Sequence, residues 1–316
     1  MKNIIASIFI VGLLTLFWLY LEPLTNFLAN YISSNPPLVL KEKSIYAKNE
    51  QYLFTQPTNN FVPYSYQDLI NIIYSTLNNH WEDFTFYCPK EYVKCLEDIE
   101  LISGNELILT HINNYVHPFN GFNNINTTIS ESGEINIHIN YLYDEAKIKK
   151  INTKVEELIL NLITNEMSDY DKIKTIHDYI INNSKYDVER NETEKSQYDS
   201  YTAFGPLFQG FATCNGYTDL MAIFLNKLNI RNYKIATTPE RITYSSEGHI
   251  WNAVFIDNKW LHLDLTWDDP VSNTKEDYLF HTYFLVTTEA LKKADSGQAK
   301  IEEHNFDPLY YLEFSI

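Results

Sequence analysis

Residues 248–267 read GHIWNAVFIDNKWLHLDLTW. Two alternating runs, GHIWNAVFI (248–256) and KWLHLDLTW (259–267), flank the dipeptide Asp257-Asn258. Asp and Asn tolerate the positive φ angles that a two-residue hairpin turn demands, so a β-hairpin is expected here. With that loop Ile256 faces Lys259, and the numbers of every facing pair sum to 515. His249 then faces Thr266, and Asp264 faces Trp251. All four side chains share one face, because strand side chains alternate with period two. His249 and Asp264 become diagonal neighbours, about 7–8 Å apart at Cα and within side-chain reach. A carboxylate so placed can fix an imidazole's tautomer and support its protonated form, leaving the other ring nitrogen for a nucleophile.

A nucleophile is available upstream. After Cys214, the residues Tyr217, Leu220, Met221, Phe224, Leu225 and Leu228 form a helical apolar stripe. Cys214 therefore stands at or just before the first turn of a buried helix, behind a loop containing Gly205, Pro206 and Gly210. Unsatisfied amides and the positive end of the helix dipole favour a thiolate there, and the same amides could stabilise an oxyanion. Three other readings compete. His262 lies on the expected face of His249 and Asp264, so these three could make a two-His, one-carboxylate metal site, although that leaves Cys214 without a task. A purely structural hairpin is the second. A serine nucleophile is the third, but the chain has no G-x-S-x-G elbow.

The runs GFATCNGYTDLM and GHIWNAVFIDNKWLHLDLTWDDP resemble the core of the transglutaminase-like superfamily. Its members share a papain-like fold in which Cys opens a helix and His and Asp come from adjacent strands. The order Cys, His, Asp, spaced here by 35 and 15 residues, is similar to the family's. So are the contexts C-x-G-Y, H-x-W-N and D-x-T-W-D-D-P, and the upstream KIKTIHDYIINNSKYD. The resemblance covers roughly residues 155–290 and extends to bacterial membrane-anchored or secreted proteins carrying this domain at their C-terminal end. It implies an α+β fold, Cys214 as nucleophile, His249 as general base and acid, and Asp264 as the residue orienting the imidazole. Trp251 and Asn252 would shape the site, His177 would be structural, and Gln209 is left without an assigned role. The segment HTYFLVTTEALKKADS (281–296) resembles the family's closing strand and edge helix. The implied chemistry is thiol-dependent acyl transfer on protein or peptide amides through a thioester, with hydrolysis or deamidation ranked above Gln–Lys crosslinking. The alternative is a catalytically inactive cell-surface binding or assembly protein. No metal or organic cofactor is expected.

Outside this core the sequence is less specific. Tyr66, Leu69, Ile70, Ile73 and Leu77 recur at helical spacing behind Ser65, with Asp68 placed as in a capping box. ELILTHI (106–112) and INIHINYLY (135–143) read as strands, the second with Ile135, Ile137, Ile139, Tyr141 and Tyr143 on one face. Residues 61–150 thus suggest a small α+β domain, in which His111, His117 and His138 read as structural. Residues 151–316 are then the catalytic domain. It opens with a helix over VEELILNLITNEM (155–167), a second from Asp171, and an exposed loop over 185–200.

Residues 3–21 carry no charge and are just long enough to span a bilayer. Trp18 and Tyr20 lie at the far end, where interfacial aromatics sit. An uncleaved anchor over 1–21 followed by a linker over 22–60 is favoured over a cleaved signal, for want of an A-x-A site. The expected location is a single-pass membrane protein with its catalytic domain extracytoplasmic, or else a secreted protein. Cys88 and Cys95 could form a disulfide in that compartment, or remain two free buried thiols. A formal net charge of −17 argues against nucleic-acid binding. The expected partners are a protein or peptide substrate and, through the N-terminal helix, the membrane.

Overall fold

The computed structural model describes residues 56–193, 195–237, 248–271, 278–297 and 303–314. The proposed anchor and most of the linker lie outside the described residues. Among the described residues no helix is long and apolar enough to cross a membrane.

The chain builds α1 (Tyr66–Asn78), β1 (Asp83–Tyr87), α2 (Cys95–Ser103), α3 (Glu106–Asn114), β2 (Phe122–Ile129) and β3 (Glu134–Tyr141). Ser65 caps α1 by accepting the Asp68 amide, and Asp68 returns a carboxylate to the Ser65 hydroxyl at 2.9 Å. The three strands form an antiparallel sheet in the order β1-β3-β2. Ile135, Ile137 and Ile139 are its buried face, as the alternation of 135–143 requires. ELILTHI is not a strand but most of α3. Asn105 caps that helix by accepting the Ile108 amide at 3.1 Å, and Leu109 and Ile112 bury one helical face. Cys88 and Cys95 are joined as a disulfide with Cα atoms 5.7 Å apart, tying the end of β1 to the start of α2.

The second half adds α4 (Glu145–Leu162), α5 (Asp169–Asn182), β4 (Lys185–Tyr186), α6 (Val188–Thr193), β5 (Phe211–Ala212), α7 (Cys214–Lys227), β6 (Asn232–Ala236), β7 (Ile250–Ile256), β8 (Lys259–Leu263), α8 (Leu265–Asp268) and α9 (Thr288–Gly297). The helix expected over 155–167 starts ten residues earlier, because Asp144 caps it through the Lys147 amide at 2.7 Å, and it stops at Leu162. The stretch 185–200, expected as a loop, holds the two-residue β4 and the single turn-and-a-half of α6.

The hairpin forms in the expected register, from Asn252↔Leu263 to Ile256↔Lys259. Asp257 and Asn258 take φ angles of 49° and 60°. β6 pairs with the other edge of β7, giving an antiparallel sheet in the order β6-β7-β8. One face of this sheet packs Val254, Ile256 and Leu263 into the same core as Tyr217, Leu220, Met221, Phe224 and Leu225 of α7. Phe119 and Tyr143, from the first half of the chain, are buried in that core as well. On the other face Trp251 and His262 meet Phe306, and His262 also stacks on Phe314. The sheet therefore lies between α7 and the segment 303–314.

Candidate active site

β8 ends at Leu263, three residues short of the expected pairing of His249 with Thr266, and the cause is Asp264. Its side chain accepts the amides of Thr266 (2.8 Å) and Trp267 (3.4 Å) through Oδ1, capping α8 and turning the chain out of the sheet. The other oxygen, Oδ2, accepts from His249 Nε2 at 2.6 Å. One carboxylate thus serves as both helix cap and imidazole partner, which is a physical reason for a D-x-T-W run. His249 sits one residue before β7, and its ring stacks on Trp251 with centroids 5.7 Å apart.

Cys214 is the first residue of α7 and half-buried. The Cys214 thiol is close enough to the His249 imidazole to help raise its pKa. Since Nε2 is held by Asp264, Nδ1 is the ring nitrogen left for a thiol partner. Burial works against a charge on His249, but the Asp264 carboxylate, its hydrogen bond and the thiol outweigh burial and hold the imidazole pKa well above its usual value. Burial would likewise raise Asp264, yet the charge and hydrogen bonds of His249, joined by His304, keep its carboxyl far below the ordinary range. The structure therefore brings Cys214, His249 and Asp264 together as a thiol–imidazole–carboxylate string.

The start of α7 is built for close approach. A Cβ on Gly216 would stand 2.2 Å from the Ser200 carbonyl oxygen, so only glycine fits the C-N-G run against the 199–202 turn. Thr213 precedes the helix without capping it by its side chain, and its hydroxyl donates to the Ser200 carbonyl at 3.3 Å. The first-turn amides beside the thiol are left without a side-chain cap, and a helix offers them no internal acceptor.

The remaining expected residues fall into place differently. Trp251 is fully buried and donates Nε1–H to His262 Nδ1 at 3.1 Å, walling the site on the side away from α7. Asn252 projects to the opposite face and donates to the Thr218 carbonyl at 3.1 Å, tying β7 to α7. His262 does not join His249 and Asp264. Its Nδ1 accepts from Trp251, its Nε2 meets the Thr288 hydroxyl at 3.0 Å, and burial pushes its pKa down to about 3. Both nitrogens are thereby occupied, which removes the His249, His262, Asp264 metal arrangement. Gln209 uses its carbonyl to accept the Asp199 amide at 2.7 Å. His177 bridges Asp178 (2.9 Å) and Asp268 (3.2 Å), and His281 reaches Asp178 at 2.7 Å. With Lys174 also on Asp178, this cluster pairs its charges within itself and fastens α5 to the chain around α8. Within 281–296, where a closing strand and edge helix are expected, the strand reduces to one bridge, His262↔Val286, before α9.

Two features were missed in the sequence. Lys234 of β6 is buried and pairs with Asp219 of α7 at 3.0 Å, while Tyr143 donates to the other oxygen of Asp219 at 2.7 Å. His304 donates Nε2–H to Asp264 Oδ2 at 2.8 Å and meets Asp295 through Nδ1 at 2.8 Å. No periodicity or motif around either residue marks them, and His304 lies 40 residues beyond its partner.

Residues 156–265 match the family model of the transglutaminase-like superfamily. This segment is a transglutaminase-like domain. It covers the residues from α4 to Asp264 and so contains the string just described. Mouse (Mus musculus) kyphoscoliosis peptidase is 26% identical over 157 residues, which are 45% of this chain and 22% of that protein. The chain thus spans less than a quarter of that relative's length. Among solved structures, a TGase shares 16% identity with a TM-score of 0.33, over 49% of this chain and 48% of that one. A candidate cysteine protease from Cytophaga hutchinsonii shares 14% identity with a TM-score of 0.30, over 49% and 65% of the respective chains.

Proposed function

We propose that the transglutaminase-like domain is a thiol-dependent amide hydrolase, with Cys214 as nucleophile, His249 as general base and acid, and Asp264 orienting the imidazole. The observation that carries this reading is His249 held between the half-buried Cys214 thiol and the buried Asp264 carboxylate. In the proposed reaction the Cys214 thiolate attacks a carboxamide or peptide carbonyl, and the carbonyl electron pair moves onto oxygen. The uncapped amides at the start of α7 face that developing charge. Collapse breaks the C–N bond, and the imidazolium of His249 gives its proton to the departing amine, leaving a thioester on Cys214. Water, deprotonated by His249, then attacks the thioester and restores the thiol. A lysine amine in place of water would give a crosslink. Hydrolysis or deamidation ranks first, in keeping with the name of the mouse peptidase to which 45% of the chain is similar. The substrate is a protein or peptide. Location on the extracytoplasmic side, through the N-terminal apolar segment, is part of the proposal and is supported by the Cys88–Cys95 disulfide.

The test is labelling by a thiol-reactive amide probe. Wild type should label, Cys214→Ala should not, and His249→Ala should label about 100-fold more slowly or worse. Equal labelling of wild type and Cys214→Ala would leave the fold as a binding scaffold. Release of ammonia or peptide, against incorporation of a fluorescent amine into a glutamine substrate, then separates hydrolase from crosslinking enzyme.

A further inference from the structure

The string of interacting groups does not stop at Asp264. Asp264 Oδ2 accepts two imidazoles, His249 at 2.6 Å and His304 at 2.8 Å. Beyond His304 stands Asp295 of α9, at 2.8 Å from Nδ1. Both His304 and Asp295 are 2% exposed, so neither exchanges its partner for water. An imidazole with a carboxylate oxygen on each nitrogen satisfies both only when both nitrogens carry hydrogen. His304 in its charged form donates to Asp264 and to Asp295 together. The resulting sequence of charges alternates from Asp295 through His304 and Asp264 to His249.

We propose that His304 is a positioning residue of the site, acting through Asp264: its buried positive charge offsets part of the Asp264 carboxylate and so limits how tightly His249 holds its proton. This rests on the triad reading above. A buried Asp264 facing His249 alone would favour the imidazolium so strongly that release of its proton to a leaving amine would suffer. Sharing the same oxygen with a second cation weakens that grip while keeping Asp264 ionised. The other groups around His304 fit a charged ring. Asp264 and Asp295 supply two negative charges, which outweigh burial and the opposing charge of His249, edge-on at 5.2 Å. Tyr283 stacks at 5.1 Å and Trp251 packs edge-on at 4.9 Å. His262, whose pKa is brought down to about 3 by burial and then by the charges of His304 and Lys292, stays neutral. Asp268 adds a further negative charge near Asp264.

The experiment follows the imidazole of His249 by side-chain NMR in substrate-free protein across pH, in wild type, His304→Gln and Asp295→Asn. Gln keeps an N–H donor for Asp264 and removes the charge. Asn keeps the polar contact at Nδ1 and removes the carboxylate that sustains the charge. Both variants should move the His249 titration to higher pH by about half a unit or more. Where His304→Gln does not fold, Asp295→Asn, at the far end of the string, carries the measurement. A folded variant that loses activity or stability with an unmoved His249 titration would overturn the proposal and leave His304 as packing. So would a wild-type titration that moves on adding chelator, because the ligand atoms of His249, Asp264 and His304 lie within 4.8 Å of one another and would then be a metal site. The NMR readout needs no turnover. Failure of the amide probe to label Cys214 would count against the enzyme reading, whatever the imidazoles do.

Discussion

His249 and Asp264 shift in opposite directions on folding, and this makes the site a contributor to stability with a defined pH window. The folded pKa of His249 lies above its unfolded value of about 6.5, so its contribution is complete below that pH and declines as pH rises toward the folded value. The folded pKa of Asp264 lies below its unfolded value of about 3.9, so its contribution is present above that pH and declines as the medium becomes more acidic. The two together are complete between about 3.9 and 6.5. The stability difference between wild type and His249→Gln, read from urea unfolding, is expected to be level across that window and to narrow above it. A difference that widens with alkalinity would contradict the assigned ion pair. The same two residues were the most legible part of the chain. The Asp257-Asn258 turn fixes the register, and the register alone places His249 diagonal to Asp264. What register could not show was that Asp264 also caps α8, since a helix of four residues leaves no periodic trace.

At the scale of elements, the site depends on how α7 is seated on the β6-β7-β8 sheet. Apolar spacing explains most of that seating, and it was readable, because the stripe from Tyr217 to Leu225 is long enough to fix a period. ELILTHI was not readable in the same way. Seven residues with Leu107, Leu109 and Ile112 satisfy period two and period 3.6 almost equally, and the deciding signal was the Asn105 cap rather than the apolar pattern. The ion pair of Lys234 with Asp219 is likewise silent in sequence, since a lysine within a strand normally marks a solvated face. Here both side chains are essentially shielded from water, at 2% and 0% exposure. Asp219→Ala would leave the Lys234 ammonium buried without its carboxylate and the Tyr143 hydroxyl without its acceptor. The expected cost is about 3–5 kcal/mol, measured as a lower urea midpoint with an unchanged slope. A loss under about 1 kcal/mol would show that water reaches Lys234 and that apolar packing alone seats the helix.

For the whole molecule, the residues that complete the site come from the segment least informative in sequence. EEHNFDPLYY (302–311) has no period, yet it supplies His304 to Asp264 and covers the Trp251 face of the sheet with Phe306. Tyr311 from the same segment is fully buried, and its hydroxyl meets three groups from two separate elements. It accepts the Ala236 amide of β6 at 3.0 Å and the Asn114 side chain of α3 at 2.9 Å, and it meets His111 Nδ1 at 3.1 Å. Burial pushes the His111 pKa down to about 4. It is therefore neutral at physiological pH and can share a proton with the phenol without bringing a charge into the core. Through this one oxygen, α3 in the first half of the chain is fastened to the sheet that carries His249. Tyr311→Phe keeps the ring and removes only that junction, leaving a backbone amide and an Asn side chain without their acceptor in a dry interior. The expected loss is about 1–3 kcal/mol, more than an exposed hydrogen bond would give. Because the halves meet at this point, the loss should appear in one cooperative transition, with tryptophan fluorescence and far-UV circular dichroism coinciding. Two separated transitions in Tyr311→Phe, with α3 and its neighbours melting first, would show instead that residues 61–150 form an independently stable unit and that Tyr311 only docks it.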